Sequence, residues 1–496
     1  MDGLLYGLGY VLQPLHFLFL LIGVMGGIIV GALPGISGSV GIILMVPFLF
    51  YLEPAISLIM LSGMFCGSMY GGSISAILVS TPGTPSAAAT VLDGYPLAQK
   101  GEAGKALGVA TIASATGGVI STLCMIFISP RLAKIALKFG PEEYFSLMVF
   151  GLTVIASVSG TSLIKGLCSG FFGLLIASIG IDELTGYARF SFNIPNLMTG
   201  FPMLPVLIGL FAISQVFIEL GNIGRELKRY HQKIKGVIPK WNEFKKLIPV
   251  IIPSSFLGVI IGIIPGTGGT IASFLAYNET KRLSKNPESF GKGNIAGIAA
   301  PEAANNGTTG GAMVPLLTLG IPGDIITAVM LGALMLIGVR PGPLLFKQST
   351  HIIYALFVGF MLAQFLILAL GLATIRVFPR ILEVPVSILF PIILALCFLG
   401  TFSVNNSIYD MFVALFFGVF GYFLRKCGFP VAPMILGVIL GPLAERELGK
   451  ALIISHGNWS TLVKSPIALF FYGLSILSIS YSLIRLYRFK KKERVT

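Results

Sequence analysis

The chain has 496 residues, of which 55% are hydrophobic and 11% are charged, and its formal net charge is +14. Soluble domains carry about 25% charged residues, so this composition excludes an ordinary soluble domain. Long apolar runs separated by Gly/Pro-rich breaks recur from Leu12 to Leu486, and a helix needs about 20 apolar residues to cross a bilayer. We therefore predict an all-α polytopic membrane protein with about 10–12 transmembrane segments, some of them broken or re-entrant.

The N-terminal apolar run is the first predicted element. It lacks the basic start and the small-residue cleavage site of a signal peptide, so we expect a retained span. The five cysteines and four histidines are scattered along the chain and form no CxxC pair. This spacing predicts neither a disulfide framework nor a zinc site, and we expect no cofactor.

Positive charge is concentrated in two later segments. No Lys or Arg precedes Lys100, whereas Arg225–Lys246 holds eight of them and the tail Arg485–Thr496 holds six. The positive-inside bias places both segments in the cytoplasm. A basic segment can also bind nucleic acid, but next to apolar spans we expect membrane lipid as the neighbour and no nucleic-acid partner.

An internal repeat organises the apolar runs. Gly31–Gly41 (GALPGISGSVG) in the first half of the chain aligns with Gly262–Ala272 (GIIPGTGGTIA) in the second half. Three further blocks follow in the same order and at similar offsets, and they pair Gly67–Gly83 with Gly307–Gly323, Ser162–Gly173 with Ser407–Gly418, and Phe201–Gly209 with Phe429–Gly437. Four ordered blocks predict a duplication; the alternative is convergent helix breaking at unrelated places.

The repeat and the charges together predict the domain organisation. We assign residues 1–220 to membrane repeat 1, 221–246 to a basic cytoplasmic linker, 247–442 to membrane repeat 2, and 443–496 to an external loop, a C-terminal transmembrane helix and a basic cytoplasmic tail. If the last apolar run crosses the membrane once, the two copies end on opposite faces. The repeats then have inverted topology, which is a recurring plan of secondary transporters.

Four breaks inside apolar runs mark a candidate substrate site. Unwound backbone at membrane depth is costly unless it is buried in protein or lines a wet cavity, and the helix N-termini that it exposes favour anions. Packing kinks are the alternative interpretation. The candidate substrate ligands in copy one are Pro34, Gly35, Ser37, Gly38, Ser39, Thr81, Gly83, Thr84 and Ser86. Those in copy two are Gly266, Thr267, Gly268, Gly269, Thr270 and Gly323.

The segment Pro301–Gly311 (PEAANNGTTGG) is the most polar stretch among the apolar runs. Ionisable groups at membrane depth are expensive and often functional. The further candidate substrate ligands are Asn305, Asn306, Thr308 and Thr309, and the candidate ligands of a coupling cation are Glu302 and Asp324. Two alternatives stay open, because Pro301–Gly307 can be a hydrated loop and Asp324 can cap the next helix.

Several of these motifs also resemble a known family. GALPGISG near the start, Ser80–Gly108, Gly262–Lys285 and Ala300–Asp324 are similar to the large membrane subunit of tripartite tricarboxylate transporters, and the similarity extends over nearly the whole chain. The resemblance implies that such a subunit forms the translocation path, beside a small membrane subunit and a periplasmic solute-binding protein. It also implies a multi-pass protein of the bacterial inner membrane that imports citrate, other tricarboxylates or related organic acids.

The same resemblance implies that a Na+ or H+ gradient drives uptake. The lack of a GxxxxGK[ST] motif agrees with coupling to a gradient rather than to ATP. A passive anion channel is one alternative function. An intramembrane serine protease is another, because Gly35–Gly38 matches GxSG, but that chemistry needs a base near Ser37. His16 is the nearest histidine and Gly268 replaces Ser37 in copy two, so we expect no enzyme.

Overall fold

The computed structural model describes residues 2–158, 162–182, 184–221, 236, 239, 241–382, 384 and 386–493. Most of the basic segment Arg225–Lys246 lies outside these residues, so its cytoplasmic position stays a prediction.

Nearly all regular structure is helical. The helices of the first half are α1 (Asp2–Val11), α2 (Pro14–Ala32), α3 (Gly38–Leu49), α4 (Pro54–Val79), α5 (Ala88–Leu97), α6 (Ala103–Ala136), α7 (Pro141–Val158), α8 (Leu163–Ala177), α9 (Pro195–Met198), α10 (Met203–Leu207) and α11 (Ser214–Leu220). Those of the second half are α12 (Trp241–Ile263), α13 (Gly268–Leu283), α14 (Ala296–Leu319), α15 (Ile325–Leu336), α16 (Leu345–Gln348), α17 (Thr350–Thr374), α18 (Phe378–Ile381), α19 (Val386–Asn405), α20 (Ile408–Lys426), α21 (Val431–Ile454) and α22 (Pro466–Glu493).

Shorter elements connect these helices. They are 3-10 turns at Pro85–Ala87, Pro287–Ser289 and Trp459–Val463, π-helical turns at Ala98–Glu102 and Ile208–Ile213, and the antiparallel strands β1 (Gly180–Ile181) and β2 (Ala188–Arg189). Within the described residues, eight helical segments are long and apolar enough to cross a membrane. The prediction of an all-α polytopic membrane protein is therefore confirmed.

The chain folds into two units, each built from two stretches of sequence. Unit 1 comprises Met1–Ala133 and Ile218–Gly400, and unit 2 comprises Lys134–Phe217 and Thr401–Thr496. The first two repeat blocks and their partners lie in unit 1, whereas the third and fourth blocks and their partners lie in unit 2. Each unit therefore takes matching segments from both halves of the sequence, while the boundary predicted at residue 220 stays a prediction.

Glycines bring the helices of unit 1 into close contact. A Cβ built on Gly27 of α2 would lie 2.5 Å from the carbonyl oxygen of Met64 on α4. A Cβ built on Gly258 of α12 would likewise lie 2.2 Å from the carbonyl oxygen of Ala304 on α14. Small residues let helix backbones approach in a membrane, where apolar burial between helices provides little driving force. The α2–α4 contact and the α12–α14 contact therefore occur at equivalent positions of the sequence repeat.

In unit 2 the close contacts join segments from different halves of the chain. A Cβ built on Gly437 of α21 would lie 2.4 Å from the carbonyl oxygen of Gly170 on α8. A Cβ built on Gly209, in the π-helical turn, would lie 2.5 Å from the carbonyl oxygen of Ala414 on α20. The third repeat block of each half therefore packs against the fourth block of the other half.

A buried carboxylate holds the loop that precedes α14 in unit 1. Asp93 on α5 is fully buried, and its Oδ1 accepts the backbone N–H groups of Gly291, Gly293 and Asn294 at 2.7–2.9 Å. Its Oδ2 accepts the Tyr277 hydroxyl of α13 at 2.9 Å. Asp93 therefore links α5, the helix after the second break, to α13, the helix after the third break.

We expect Asp93→Ala to destabilise unit 1 by about 2 kcal/mol or more, because it leaves several buried donors without an acceptor. Limited trypsin digestion at Lys292 should accelerate together with a fall in the thermal midpoint of the purified protein. Tyr277→Phe removes one of the four bonds and should cost only about 1 kcal/mol. Unchanged cleavage at Lys292 in Asp93→Ala would contradict this role.

Candidate functional site

The four predicted breaks lie between helices of unit 1. They separate α2 from α3, α4 from α5, α12 from α13, and α14 from α15. Ser80 (φ 62°) directly follows α4, and Gly320 (φ 71°) directly follows α14. Both residues have the left-handed conformation that often terminates helices. A proline follows two residues later in each case and prevents the helix from continuing.

The breaks within each half contact one another closely. A Cβ built on Gly83 would lie 1.9 Å from the carbonyl oxygen of Gly31, and one built on Gly323 would lie 2.7 Å from that of Gly262. In the second half, the Gly266 N–H also donates to the Gly323 carbonyl oxygen at 2.7 Å. Glycine is required at these positions because any side chain would meet backbone.

Breaks from different halves also meet. A Cβ built on Gly38, at the start of α3, would lie 3.0 Å from Cδ1 of Ile326 on α15. A Cβ built on Gly269, at the start of α13, would lie 3.0 Å from Cβ of Ser86. The structure therefore brings the first break next to the fourth, and the third next to the second.

The hydroxyl groups of the breaks fall into two sets. Ser37 and Ser39 hydrogen-bond to each other at 2.6 Å, and Thr84 and Ser86 do so at 3.1 Å. Thr267 instead donates to the Ile261 and Ile264 carbonyl oxygens at the end of its own preceding helix. The Thr81 hydroxyl similarly donates to the neighbouring Val79 carbonyl oxygen, at 3.5 Å. The paired serines and threonines are therefore the better candidates for binding a ligand. Pro34, Gly35, Gly268 and Thr270 are half-buried beside them.

Asp324 caps helix α15. Its Oδ1 accepts the Thr327 N–H at 2.7 Å, and the Thr327 hydroxyl accepts the Asp324 N–H at 2.8 Å. This reciprocal pair is a capping box, which satisfies two free donors at the start of a helix. The capping interpretation therefore describes what the Asp324 carboxylate does in the structure.

The polar stretch Pro301–Gly311 lies inside helix α14, and all of its residues are buried. The hydrated-loop interpretation of Pro301–Gly307 is therefore wrong. Helical spacing places Glu302, Asn306 and Thr309 along one face, and Asn305 and Thr308 along the face adjacent to it. The threonine hydroxyls donate to the carbonyl oxygens of Asn305 and Asn306, three residues earlier in each case.

Glu302 is fully buried, and hydroxyl groups bind both of its carboxylate oxygens. Thr90 of α5 donates to Oε1 at 2.5 Å, and Ser114 of α6 donates to Oε2 at 2.9 Å. Buried charges are costly unless they are paired or hydrogen-bonded. Among the described residues no Lys or Arg pairs with this carboxylate, so neutral donors alone stabilise it.

A second polar contact lies one turn further along the same face. Ser121 of α6 donates to the Asn306 carbonyl oxygen at 3.2 Å and lies 3.3 Å from the Thr309 hydroxyl. Gln364 of α17 donates to the Cys66 sulfur at 3.1 Å. Ser114, Ser121 and Gln364 were not predicted as site residues. Gln364 stands out as a polar residue inside an apolar run of α17, whereas Ser114 and Ser121 are two of several Ser and Thr residues of α6 and carry no such signal.

The serine–histidine pair of a protease is not formed. The His16 Nδ1 hydrogen-bonds the Tyr10 carbonyl oxygen at 2.8 Å, whereas Ser37 pairs with Ser39. Nucleophilic serines need an adjacent base, and His16 does not supply one here.

Taken together, broken helices from two halves packed around a buried polar helix define a multi-pass membrane transporter. The chain belongs to the tripartite tricarboxylate transporter TctA family, whose profile matches residues 17–436. The resemblance seen in the sequence motifs is therefore confirmed. This is a family of transporters, and its name implies a system of three parts.

Two proteins of Agrobacterium vitis are similar to this chain. One, described as an uncharacterized 52.8 kDa protein in the TAR-I ttuC' 3' region, is 36% identical over 489 residues, which cover 98% of this chain and 96% of that protein. The other, described as an uncharacterized protein in the TAR-II ttuC' 3' region, is 36% identical over 236 residues, which cover 48% of this chain and 98% of that protein. The first relative thus matches this chain almost from end to end.

Proposed function

We propose that this chain is the large translocating subunit of a binding-protein-dependent secondary transporter. It imports tricarboxylates or related organic acids across the bacterial inner membrane, driven by a Na+ or H+ gradient. A small membrane subunit accompanies it, and a periplasmic solute-binding protein delivers the substrate. Citrate is the first substrate to test.

The meeting of breaks from opposite halves is the observation that carries this proposal. Gly38 lies beside Ile326, Gly269 lies beside Ser86, and a Cβ built on Gly268 would lie 3.4 Å from Cβ of Asp324, so the starts of α3, α13 and α15 share one region of unit 1. Asp324 caps α15, whereas no described side chain caps α3 or α13. Free N–H groups at helix starts favour carboxylates. Because the breaks contain no Lys or Arg, these neutral donors and the serine and threonine hydroxyls hold the substrate in our proposal.

Inverted repeats are the second part of the proposal. The Gly27–Met64 contact recurs as Gly258–Ala304 at equivalent positions of the sequence repeat, which supports a duplication. Inverted copies allow one site to be presented alternately to either face of the membrane. Alternating access of this kind distinguishes a pump coupled to a gradient from a passive channel.

Uptake by reconstituted proteoliposomes tests the function directly. The chain is reconstituted with its small membrane subunit, and radiolabelled citrate is offered with the solute-binding protein. We expect accumulation above the external concentration under an imposed inward Na+ or H+ gradient. Uptake that only equilibrates would favour the passive channel and reject the coupled transporter.

Two substitutions on α14 test the predicted site. Asn306→Ala and Thr309→Ala remove polar groups from the buried face that contacts Ser121. We expect both variants to insert normally and to lose citrate uptake by about tenfold or more, because one lost polar contact to a charged ligand is worth about 1.5–3 kcal/mol. Wild-type uptake in both variants would remove this segment from the site.

A further inference from the structure

One buried amide oxygen beside the third break has no hydrogen-bond partner among the described residues. Asn305 on α14 is fully buried, and its Nδ2 donates to the Met69 carbonyl oxygen at 3.1 Å. Since a carbonyl oxygen can only accept, this bond fixes which end of the amide is nitrogen. Asn305 Oδ1 therefore faces the opposite way, toward Gly269, and is unpaired. Such an acceptor requires a donor or a cation.

The Ser86 side chain borders the same space, and the Thr84 hydroxyl is hydrogen-bonded to it. A Cβ built on Gly269 would lie 2.5 Å from Asn305 Oδ1 and 3.0 Å from Ser86 Cβ, so both side chains border the space left by the glycine. The Ser86 hydroxyl is 3.1 Å from the Thr84 hydroxyl, and its other partner is the Met69 sulfur at 3.9 Å. Ser86 and Thr84 are both buried. Asn305 and Ser86 thus border Gly269 directly, whereas the Thr84 hydroxyl lies against Gly72 and joins this set through its hydrogen bond with Ser86.

The chemistry of these oxygens selects the ligand. Amide and hydroxyl oxygens are hard ligands that suit small hard cations, and unwound segments of transporters coordinate Na+ in this way. Within the described residues, no group of three or more His, Cys, Asp or Glu side chains can hold a metal ion. A neutral oxygen set therefore fits a monovalent ion better than a divalent one.

A carboxyl group lies close by along the same helix. Glu302 precedes Asn305 by three residues on α14, and residues three apart are neighbours on a helix surface. Its carboxylate is held by Thr90 and Ser114, so it can balance the charge of a cation without contacting it.

The equivalent position in the first half lacks this oxygen set. Gly38 corresponds to Gly269, but a Cβ built on it would meet Ser68 Oγ at 2.2 Å and Ile326 Cδ1 at 3.0 Å, so one hydroxyl and an apolar side chain stand where Gly269 has Asn305 and Ser86. Phe65 stands at the position of the second repeat block that corresponds to Asn305. The two halves therefore differ in the side chains that can bind a cation, and the difference favours the Gly269 side.

We propose that Asn305 Oδ1, Ser86 Oγ and Thr84 Oγ1 are the ligands of a sodium ion beside Gly269. The proposal rests on the proposed function only in naming this ion as the coupling ion. It reassigns these three side chains from the substrate to the cation, and it selects Na+ over H+ as the driving ion.

Sodium binding is measured on the purified full chain in detergent, without its partners. The thermal midpoint is followed during a NaCl titration at constant ionic strength, with choline chloride as the balance and KCl as the comparison salt. We expect Na+ to raise the midpoint in a saturable manner, whereas K+ at the same concentration has little effect. An identical response to both salts would overturn the proposal.

Matched variants locate the site. We expect Asn305→Leu, Ser86→Ala and Thr84→Val each to raise the half-saturating Na+ concentration by about tenfold, since each removes one ligand oxygen. Ser129→Ala is the control, because Ser129 Oγ is also a buried oxygen without a partner among the described residues, yet it lies on α6 away from the breaks and should leave sodium binding unchanged.

The remaining outcomes separate the two proposals. If Asn305→Leu fails to fold, the smaller changes Ser86→Ala and Thr84→Val decide, and unchanged sodium binding in both overturns this site. Weaker citrate binding with unchanged sodium binding in these variants would also overturn it and return the residues to the substrate. Citrate uptake driven by H+ alone rejects Na+ as the coupling ion but leaves the transporter function intact. Saturable sodium binding without any coupled uptake rejects the function alone.

Discussion

Replacing Gly27 by valine is expected to prevent unit 1 from folding normally. The added Cβ would lie 2.5 Å from the Met64 carbonyl oxygen on α4, and backbone atoms cannot yield as a flexible side chain does. Forcing extra atoms into a packed contact costs about 1–3 kcal/mol, and sometimes more. Gly258→Val should have a similar effect, because its added Cβ would lie 2.2 Å from the Ala304 carbonyl oxygen.

The measurement is the yield of monodisperse protein in detergent, together with its thermal midpoint. Gly9→Val on α1 is the matched control, since a Cβ there meets no other described atom within 4 Å. We expect the control to behave like the wild type, and the two contact variants to lose most of the folded protein. Equal midpoints for all three variants would show that these helix contacts do not limit stability.

The positions of the breaks could be predicted because their cause is local. Proline removes a backbone donor and glycine permits left-handed backbone, so a short segment such as Pro34–Ser39 interrupts a helix whatever surrounds it. The polar stretch Pro301–Gly311 was recognisable for a similar reason, because it contrasts with the apolar runs on both sides. Its helical conformation could not be predicted, because polar composition does not distinguish a buried helix from a loop.

The partners of Glu302 could not be predicted, because they depend on tertiary packing. Thr90 lies in a largely apolar segment and Ser114 is one of several Ser and Thr residues of α6, and such residues usually donate to their own helix. They lie on different helices of the first half, far from Glu302 in the sequence, so no local spacing connects the three residues. The same holds for Asp93, whose four donors all come from the second half of the chain.

The packing of the repeat blocks within each unit also could not be predicted from their order in the sequence. Matching blocks show which segments are related, but they do not show which segments pack together. In unit 2, Gly437 contacts Gly170 and Gly209 contacts Ala414. Both contacts join one half of the sequence to the other. Glycine-mediated helix contacts depend on which face of the helix each glycine occupies. The same spacing of glycines in the sequence is therefore compatible with several pairings of helices.

Neutralising Glu302 is expected to abolish coupled uptake without unfolding the protein. Glu302→Gln keeps the size of the side chain, and the Thr90 and Ser114 hydroxyls can each donate or accept, so both hydrogen bonds can be retained. Only the negative charge is lost. Two unit charges about 6 Å apart at an effective dielectric of about 20 interact by about 3 kcal/mol, which corresponds to about 100-fold in affinity for the coupling cation.

Citrate uptake under a fixed Na+ gradient and the sodium dependence of the thermal midpoint measure this effect. We expect uptake near background at moderate sodium, partial recovery at high sodium, and a nearly normal midpoint in sodium-free buffer. Glu279→Gln is the control, because Glu279 forms an exposed ion pair with Arg282, and such pairs contribute about 0–1 kcal/mol. Normal sodium dependence in Glu302→Gln would mean that the carboxylate stabilises the contacts of α14 with α5 and α6 and takes no part in coupling.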